Sequence, residues 1–273
     1  MINLTRRVRK TITALIGVFI LALIPFSAIA QRQEPFAIVS DTHIRTGNYS
    51  VYSSFLRLME QEKINMIIHT GDAIDSPGEL RQWAKFLELT GPDKTLHLAP
   101  GNHDISGRRS LSVYLRFFPK TYYSFSEGDT LFVLLNTELP GEKASITGEQ
   151  LAWLRTEIGK SFKYKFVFLH EPLYPIIAGH GLDRHPKARD DLHHLFVTHG
   201  VSLVVSGHDH LYGRTIKDGI LYVTAATLGG WLPFGSKDYE AFRYIVAERN
   251  ESGYSFRVID MEGATRDQFV VGR

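Results

Sequence analysis

Five short blocks of metal-binding residue types lie along the chain, and each follows an apolar segment. The blocks are Ser40-Asp41-Thr42-His43, Gly71-Asp72, Gly101-Asn102-His103-Asp104, His170-Glu171-Pro172 and Gly207-His208-Asp209-His210. They offer carboxylate, amide and imidazole donors, and the absence of Cys excludes thiolate ligands and cysteine nucleophiles. A single block of this kind could be a plain turn. Five in succession are hard to obtain by chance and point to one site.

The segments around these blocks predict the elements that must position them. Strands are predicted at residues 36–40, 65–69, 95–99, 122–125, 131–136, 165–170, 201–206, 221–224, 244–247 and 255–259, and helices at 52–62, 79–89, 148–158 and from 188. Helices predominate early and hairpin-like strands late, which predicts a layered α/β fold with a sheet sandwich inside. Because strand ends in such folds meet at one edge, we expect the five blocks to converge there.

The order of the blocks resembles the pattern of the calcineurin-like metallophosphoesterases, which carry D-x-H, G-D, G-N-H-D/E, an isolated His and G-H-x-H. The resemblance covers residue 36 to the C-terminus. It implies the layered metallophosphoesterase fold, a β-sandwich flanked by helices with its active site at the carboxyl ends of the strands. It also implies a dinuclear site: Asp41, His43 and His210 on one metal ion, Asn102, His170 and His208 on the other, and Asp72 bridging both.

The same resemblance assigns chemical roles to the third block. His103 would lie near the leaving-group oxygen of a phosphate ester, as general acid or as hydrogen-bond donor to the transition state, and Asp104 would orient its ring. A hydroxide bridging the two ions would be the nucleophile. Purple acid phosphatases are a more distant match, because they carry a Tyr ligand where this chain has Asp75.

Two divalent ions would leave such a site positively charged, because only Asp41 and Asp72 among the ligands are carboxylates. Positive charge attracts a phosphate anion and lowers the pKa of a bound water. The donor types are compatible with Mn, Fe, Zn or Co as the two ions.

The function expected from these features is metal-dependent hydrolysis of a small-molecule or envelope phosphate ester. The enzyme would be either a monoester phosphatase or a phosphodiesterase acting on a cyclic nucleotide or an envelope phosphodiester. A non-catalytic binding scaffold on the same fold is the alternative from another class. The complete set of ligands and His103 favours the enzyme.

Residues 1–30 have the layout of a signal peptide. Four basic residues between positions 6 and 10 precede an apolar stretch at 12–24 and the end Ala28-Ile29-Ala30. An uncleaved membrane anchor through residues 11–30 is the alternative. Without the four basic residues the formal net charge changes from +2 to −2, so no nucleic acid partner is expected. We therefore predict an exported or membrane-anchored protein with a single domain at residues 31–273.

Several further polar and aromatic residues lie near the blocks. Asp75 and Asp209 are expected to be solvated turn residues, and Glu171 either tunes His170 or is a surface carboxylate. Candidates for substrate contact, against the alternative of exposed charges or core packing, are His180, His185, Arg45, Arg108, Arg109, Trp231 and Phe234.

Overall fold

Two six-stranded sheets form the centre of the structure. The computed structural model describes residues 33–232 and 242–272. The first sheet contains β1 (Phe36–Val39), β2 (Met66–His69), β3 (Thr95–Leu98), β10 (Arg243–Asn250), β11 (Gly253–Asp260) and β12 (Thr265–Gly272), in the order β12-β11-β10-β1-β2-β3. The three short strands β1, β2 and β3 are parallel, and β10 pairs antiparallel with β1.

The second sheet contains the middle of the chain. Its strands are β4 (Tyr123–Glu127), β5 (Thr130–Leu134), β6 (Tyr164–Phe168), β7 (Leu203–Ser206), β8 (Gly213–Lys217) and β9 (Ile220–Thr224), in the order β4-β5-β6-β7-β9-β8. The four inner strands are parallel, and β4 and β8 are antiparallel edges. Every residue of β5, β6, β7 and β9 is buried, as expected for parallel strands covered on both faces.

Aromatic side chains fill the space between the sheets. Phe36 of the first sheet meets Phe132 of the second edge to face, with ring centroids 5.4 Å apart, and Phe166 contacts Tyr254 in the same way at 4.8 Å. The burial of these large rings supplies much of the apolar area that holds the sheets together.

Helices cover the two outer faces. The first sheet carries α1 (Ser50–Gln61), α2 (Leu80–Thr90) and α3 (Arg108–Tyr114), and the second carries α4 (Gly148–Ile158) and α5 (Pro186–Thr198), which follows a short 3-10 turn at Leu182–Arg184. In α1 the buried side chains Tyr52, Phe55, Leu56 and Met59 recur at helical spacing. The predicted layered α/β fold with a sandwich inside is confirmed.

Three elements were not predicted from the sequence: α3, β8 and β12. The side chains of β8 are mostly exposed and β12 is an edge strand, so neither carries the apolar run on which a strand prediction depends. The described residues belong to a compact unit, Arg32–Arg273. Among them, no helix has the length and apolar character needed to span a bilayer. The signal or anchor prediction for residues 1–30 lies outside the described residues.

Candidate metal centre

The seven predicted ligands lie in turns directly after five strands, and both sheets contribute. The first sheet places Asp41 and His43 after β1, Asp72 after β2 and Asn102 after β3, and the second places His170 after β6 and His208 and His210 after β7. The donor atoms of six of them form two groups that share Asp72, and the amide oxygen of Asn102 joins the second group.

The first group contains Asp41, His43, Asp72 and His210. The Nε2 atoms of His43 and His210 are 3.1 Å apart, and His210 Nε2 is 3.3 Å from Asp41 Oδ1. Asp72 Oδ2 is 3.7 Å from His43 Nε2. Asp72 is also a member of the second group.

The second group contains Asp72, His170 and His208, with Asn102 beside them. His170 Nε2 is 3.2 Å from Asp72 Oδ2, 3.1 Å from Asn102 Oδ1 and 3.1 Å from His208 Nδ1. The same carboxylate oxygen of Asp72 thus faces a histidine of each group. This position suits a carboxylate shared between the two groups.

The atoms that converge here are lone-pair donors, which is the arrangement that binds cations. His170 Nδ1 donates to the Thr70 carbonyl at 2.8 Å and His210 Nδ1 donates to the Trp231 carbonyl, so in the neutral rings both Nε2 atoms carry a lone pair. In addition, Asp41 Oδ1 is buried without a hydrogen-bond partner. These residues fit two metal ions with mixed oxygen and nitrogen ligands.

The pKa values of the ligand side chains also indicate that positive charge is stabilised at this position. Burial, the largest effect, raises the pKa of Asp72, but His170 and His43 together lower it to about 2. Burial would lower the pKa of His170, but Asp72 and Asp41 raise it well above its usual range. The pKa of His210 is raised as well, so without metal ions protons on His170 and His210 would balance the two carboxylates.

Five of the seven ligands have a left-handed backbone. Their φ angles are 52° at Asp41, 43° at His43, 57° at Asp72, 71° at His208 and 58° at His210. Such conformations cost about 1–3 kcal/mol each and persist only where surrounding contacts enforce them. Here the first two turns are tied together, since Asp41 N–H donates to Gly71 O at 2.9 Å and His43 N–H donates to Asp72 O at 3.0 Å.

His103 lies beside the metal centre and lines the same cavity as Asp72 and Asn102. Its backbone N–H donates to Asp72 Oδ1 at 2.7 Å, and its ring Nδ1 donates to the Asp75 carbonyl at 2.5 Å. The ring is therefore oriented by a backbone oxygen, and its Nε2 is left for other chemistry.

The prediction that Asp104 orients the His103 ring is wrong. Its buried carboxylate accepts backbone N–H groups instead: Oδ2 binds Asp72 and Gly101, both at 2.9 Å, and Oδ1 binds Ile74 at 3.2 Å. Burial, followed by the charge of Asp72, raises the pKa of Asp104 to about 7, although these N–H groups act against the rise. Asp104 therefore joins the second and third ligand turns.

The expectation of solvated turn residues is also wrong for Asp209, which is buried. Asp209 accepts from His180 Nδ1 at 2.8 Å and from the backbone N–H groups of Ile176 and Ile177. Asp75 is partly buried, with its carboxylate 3.8 Å from His43 Nδ1.

An open cavity of about 260 Å³ lies over the two groups. Besides ligand residues it is lined by His103, Ile177, His180, Asp209 and Trp231. The His180 ring stacks on His208 with centroids 4.0 Å apart, and Trp231 is 64% exposed at the rim, so it does not serve as core packing. His185, Arg45, Arg108 and Arg109 are not among the lining residues, and Phe234 lies outside the described residues.

Two buried glutamates, Glu138 and Glu171, lie near His170. Glu171, 3% exposed, pairs with Arg184, which excludes the surface alternative for this residue. Glu138 follows β5 and was missed by sequence reasoning. Burial and the neighbouring Glu171 raise the pKa of Glu138 to about 8. The sequence could have indicated Glu138 as a site residue, because Asn136-Thr137-Glu138 is a polar block that also follows a strand at this edge.

Comparison with known proteins gives a family match and several structural matches. Residues 34–212 match the profile described as calcineurin-like phosphoesterase, whereas no curated protein matches the sequence. The fold is similar to a purple acid phosphatase from yellow lupin (Lupinus luteus) seeds, with a TM-score of 0.73 and 19% identity over 89% of this chain and 55% of that chain. The chain thus spans about half the length of the lupin enzyme.

Two further structures match over most of their own length. GAP50, the anchor in the inner membrane complex of Plasmodium, has a TM-score of 0.71 at 15% identity, covering 89% of both chains. A dimetal phosphatase from Danio rerio has a TM-score of 0.59 at 16% identity, covering 88% of this chain and 99% of that chain. At these identities the similarities concern the fold.

Proposed function

Because the chain belongs to the calcineurin-like phosphoesterase family, we propose that it hydrolyses phosphate esters at a dinuclear metal centre. The observation that carries this proposal is the position of Asp72 Oδ2, 3.7 Å from His43 Nε2 on one side and 3.2 Å from His170 Nε2 on the other. Two groups of lone-pair donors that share one carboxylate oxygen suit a pair of ions a short distance apart.

In this proposal each residue has a defined task. Asp41, His43 and His210 would hold one ion, Asn102, His170 and His208 would hold the other, and Asp72 would contact both. When bound, two divalent ions such as Mn, Fe, Zn or Co would supply positive charge for the phosphate oxygens and an acidified water as nucleophile.

His103 is the residue that handles the leaving group. Because its Nδ1 proton is committed to the Asp75 carbonyl, Nε2 is the atom that holds or releases a proton towards the cavity. A protonated Nε2 would donate to the leaving oxygen of the ester. Asp104 acts on catalysis only indirectly, through the turns it holds together.

The cavity favours a small substrate with an apolar group. With the phosphate over the ligands, the organic part of the ester would lie against Ile177 and Trp231, while His180, hydrogen-bonded to buried Asp209, would contact a phosphate oxygen. Both a monoester and a diester are compatible with an open cavity of this volume, so a nucleotide, a sugar phosphate or an envelope phosphodiester remains within the proposed class.

The test uses the purified protein loaded in turn with Mn, Fe, Zn and Co and a panel of monoesters and diesters. We expect turnover with at least one metal, and the ratio of diesterase to monoesterase turnover assigns the subclass. Asp72→Asn, purified in the same way, controls for contaminating phosphatases. Metal binding without turnover on any ester would overturn the proposal and favour the non-catalytic scaffold.

We also propose that the mature chain starts near Gln31 outside the cytoplasm, on the pattern of residues 1–30. N-terminal sequencing of the protein from fractionated cells tests this. Met1 on a soluble cytoplasmic form would contradict export, and Met1 on a membrane-bound form would establish the anchor instead.

A further inference from the structure

We propose that His69 is a positioning residue for the metal centre, whose ring fixes the turn after β1 to the turn after β2 and thereby sets metal affinity. The inference rests on the metal centre of the proposed function. It concerns a histidine that is not a ligand, does not line the cavity and would otherwise count as core packing.

His69 is the last residue of β2 and is completely buried. Its ring lies edge-on to Phe86 of α2, with centroids 5.6 Å apart, on the helix-covered face of the first sheet. A buried imidazole requires partners for both ring nitrogens. Both partners of His69 lie in ligand turns.

The direction of each hydrogen bond around His69 is fixed by its partners. Gly71 N–H, which is only a donor, lies 3.1 Å from Nδ1, so Nδ1 accepts and the ring proton is on Nε2. Nε2–H then donates to Thr42 Oγ1 at 3.0 Å, and the Thr42 hydroxyl donates to the Ala73 carbonyl at 2.9 Å. The Gly71 N–H, the His69 Nε2–H and the Thr42 hydroxyl thus each donate one hydrogen bond.

A neutral ring is the form that this arrangement needs. Burial lowers the pKa of His69 to about 3, against the opposite effects of Asp41 and Asp72. The ring therefore stays neutral at neutral pH, with the proton where Thr42 requires it.

Thr42 occupies a sensitive place, because it lies between the ligands Asp41 and His43. Both neighbours have left-handed φ angles, and so does Asp72 in the opposite turn. Conformations of this kind persist only where contacts enforce them. The chain of hydrogen bonds through His69 and Thr42 adds a buried side-chain link between these two turns to the backbone bonds of Asp41, His43 and Ile44.

Loss of the link should therefore act on metal binding. If His69 no longer holds Thr42, the turn with Asp41 and His43 gains freedom relative to Asp72, and the ligands must be ordered when the ion binds. Changes in the groups that hold metal ligands typically cost 10- to 100-fold in affinity. We expect a loss in this range for the ion bound by Asp41 and His43.

The test is a double-mutant cycle with metal affinity as the readout, measured on the full chain by chelator competition. His69→Asn keeps an acceptor for Gly71 N–H but does not reach Thr42, and Thr42→Val removes the hydroxyl at constant shape. Each should weaken Mn binding by roughly 10- to 100-fold. The double variant should be no weaker than Thr42→Val alone, because the bond that His69→Asn removes is one that Thr42→Val removes as well.

Two further variants separate positioning from packing. Thr42→Ser keeps the hydroxyl and should retain wild-type affinity within about threefold, whereas His97→Asn makes the same change on β3, away from the ligand turns, and should lower stability without changing affinity. Urea unfolding of every variant checks the fold, and if His69→Asn does not fold, the comparison of Thr42→Val with Thr42→Ser carries the test.

Several outcomes overturn the inference: wild-type affinity in folded His69→Asn, effects that multiply in the double variant, or equal losses in Thr42→Ser and Thr42→Val. Absence of metal binding by the wild type would overturn both this inference and the proposed function. Tight binding without turnover would remove only the proposed function, because affinity is measured without substrate.

Discussion

Replacement of Asp104 by asparagine should destabilise the fold without a direct effect on the chemistry of His103. The carboxylate accepts three backbone N–H groups, from Asp72 and Gly101 on Oδ2 and from Ile74 on Oδ1. Asparagine has one oxygen, so when it keeps the two shorter bonds its NH₂ group faces the Ile74 N–H. Two buried donors are then unsatisfied.

Each unsatisfied buried donor costs about 1–3 kcal/mol, so Asp104→Asn should lose about 2–6 kcal/mol of unfolding free energy. Asp104→Ala leaves three donors unsatisfied and should lose about 3–9 kcal/mol, a large part of the stability of an ordinary domain. Urea unfolding of the metal-free protein at pH 8, where the carboxyl is ionised, measures this. Because burial raises the pKa of Asp104 to about 7, the ionised carboxylate itself costs stability at this pH, so the measured losses should lie at the low end of each range.

The matched control is Asp190→Asn on the exposed surface of α5, which should change stability by less than about 0.5 kcal/mol. A result that contradicts the reasoning is an Asp104→Asn protein with wild-type stability and metal content whose activity is lost and whose pH profile is shifted. That result would return Asp104 to a role on the His103 ring.

Three further expectations follow from the site and the fold. His103→Asn should keep both metal ions and lower kcat by roughly 10²- to 10⁴-fold, more for alkyl than for aryl esters; equal loss on both would make His103 a positioning residue, and loss of a metal ion would make it a ligand. Elemental analysis should show reduced occupancy at two sites in Asp72→Asn but chiefly at one in His43→Ala, and full metal content in Asp72→Asn would refute bridging. Burial lowers the pKa of His97 to about 4, so between pH 6.5 and pH 4 the unfolded chain binds a proton that the folded chain does not, and stability decreases by at most about 1.4 kcal/mol for each unit by which the pH is lowered. His97→Phe should therefore lose less unfolding free energy than the wild type between pH 7 and pH 5, as measured by urea unfolding at both pH values. An equal loss in the two proteins would show that His97 titrates normally.

The strands that carry the ligands were predictable because each is a short apolar run that ends in polar residues. β1, β2, β6 and β7 are buried at every residue, so the apolar signal is strong, and the turn that follows is necessarily at the sheet edge. The assignment of individual ligands came from the resemblance of the blocks to the calcineurin-like pattern, and the chemistry of their donors agrees with it.

The partners of Asp104, Asp209 and His69 were not predictable from the sequence. Asp104 binds Asp72 N–H across 32 positions and Asp209 binds Ile176 N–H across 33. A carboxylate in a turn looks the same in sequence whether it faces water or the backbone of a distant segment. Likewise, the spacing of His69 shows a strand position but not the hydroxyl that its ring meets.

The division of the ligands between the two sheets has a consequence for when the metal ions are acquired. Neither sheet alone presents a complete group, since Asp41 needs His210 and Asp72 needs His170. The first sheet is itself complete only when β10 has paired with β1, and β10 begins at Arg243, near the C-terminus. The site is therefore complete only after both sheets have formed, and ions bound there would stabilise the docked sheets. In the proposed function, the ions would be taken up in the compartment where the two sheets dock, and the supply of metals there would decide which ions the site holds.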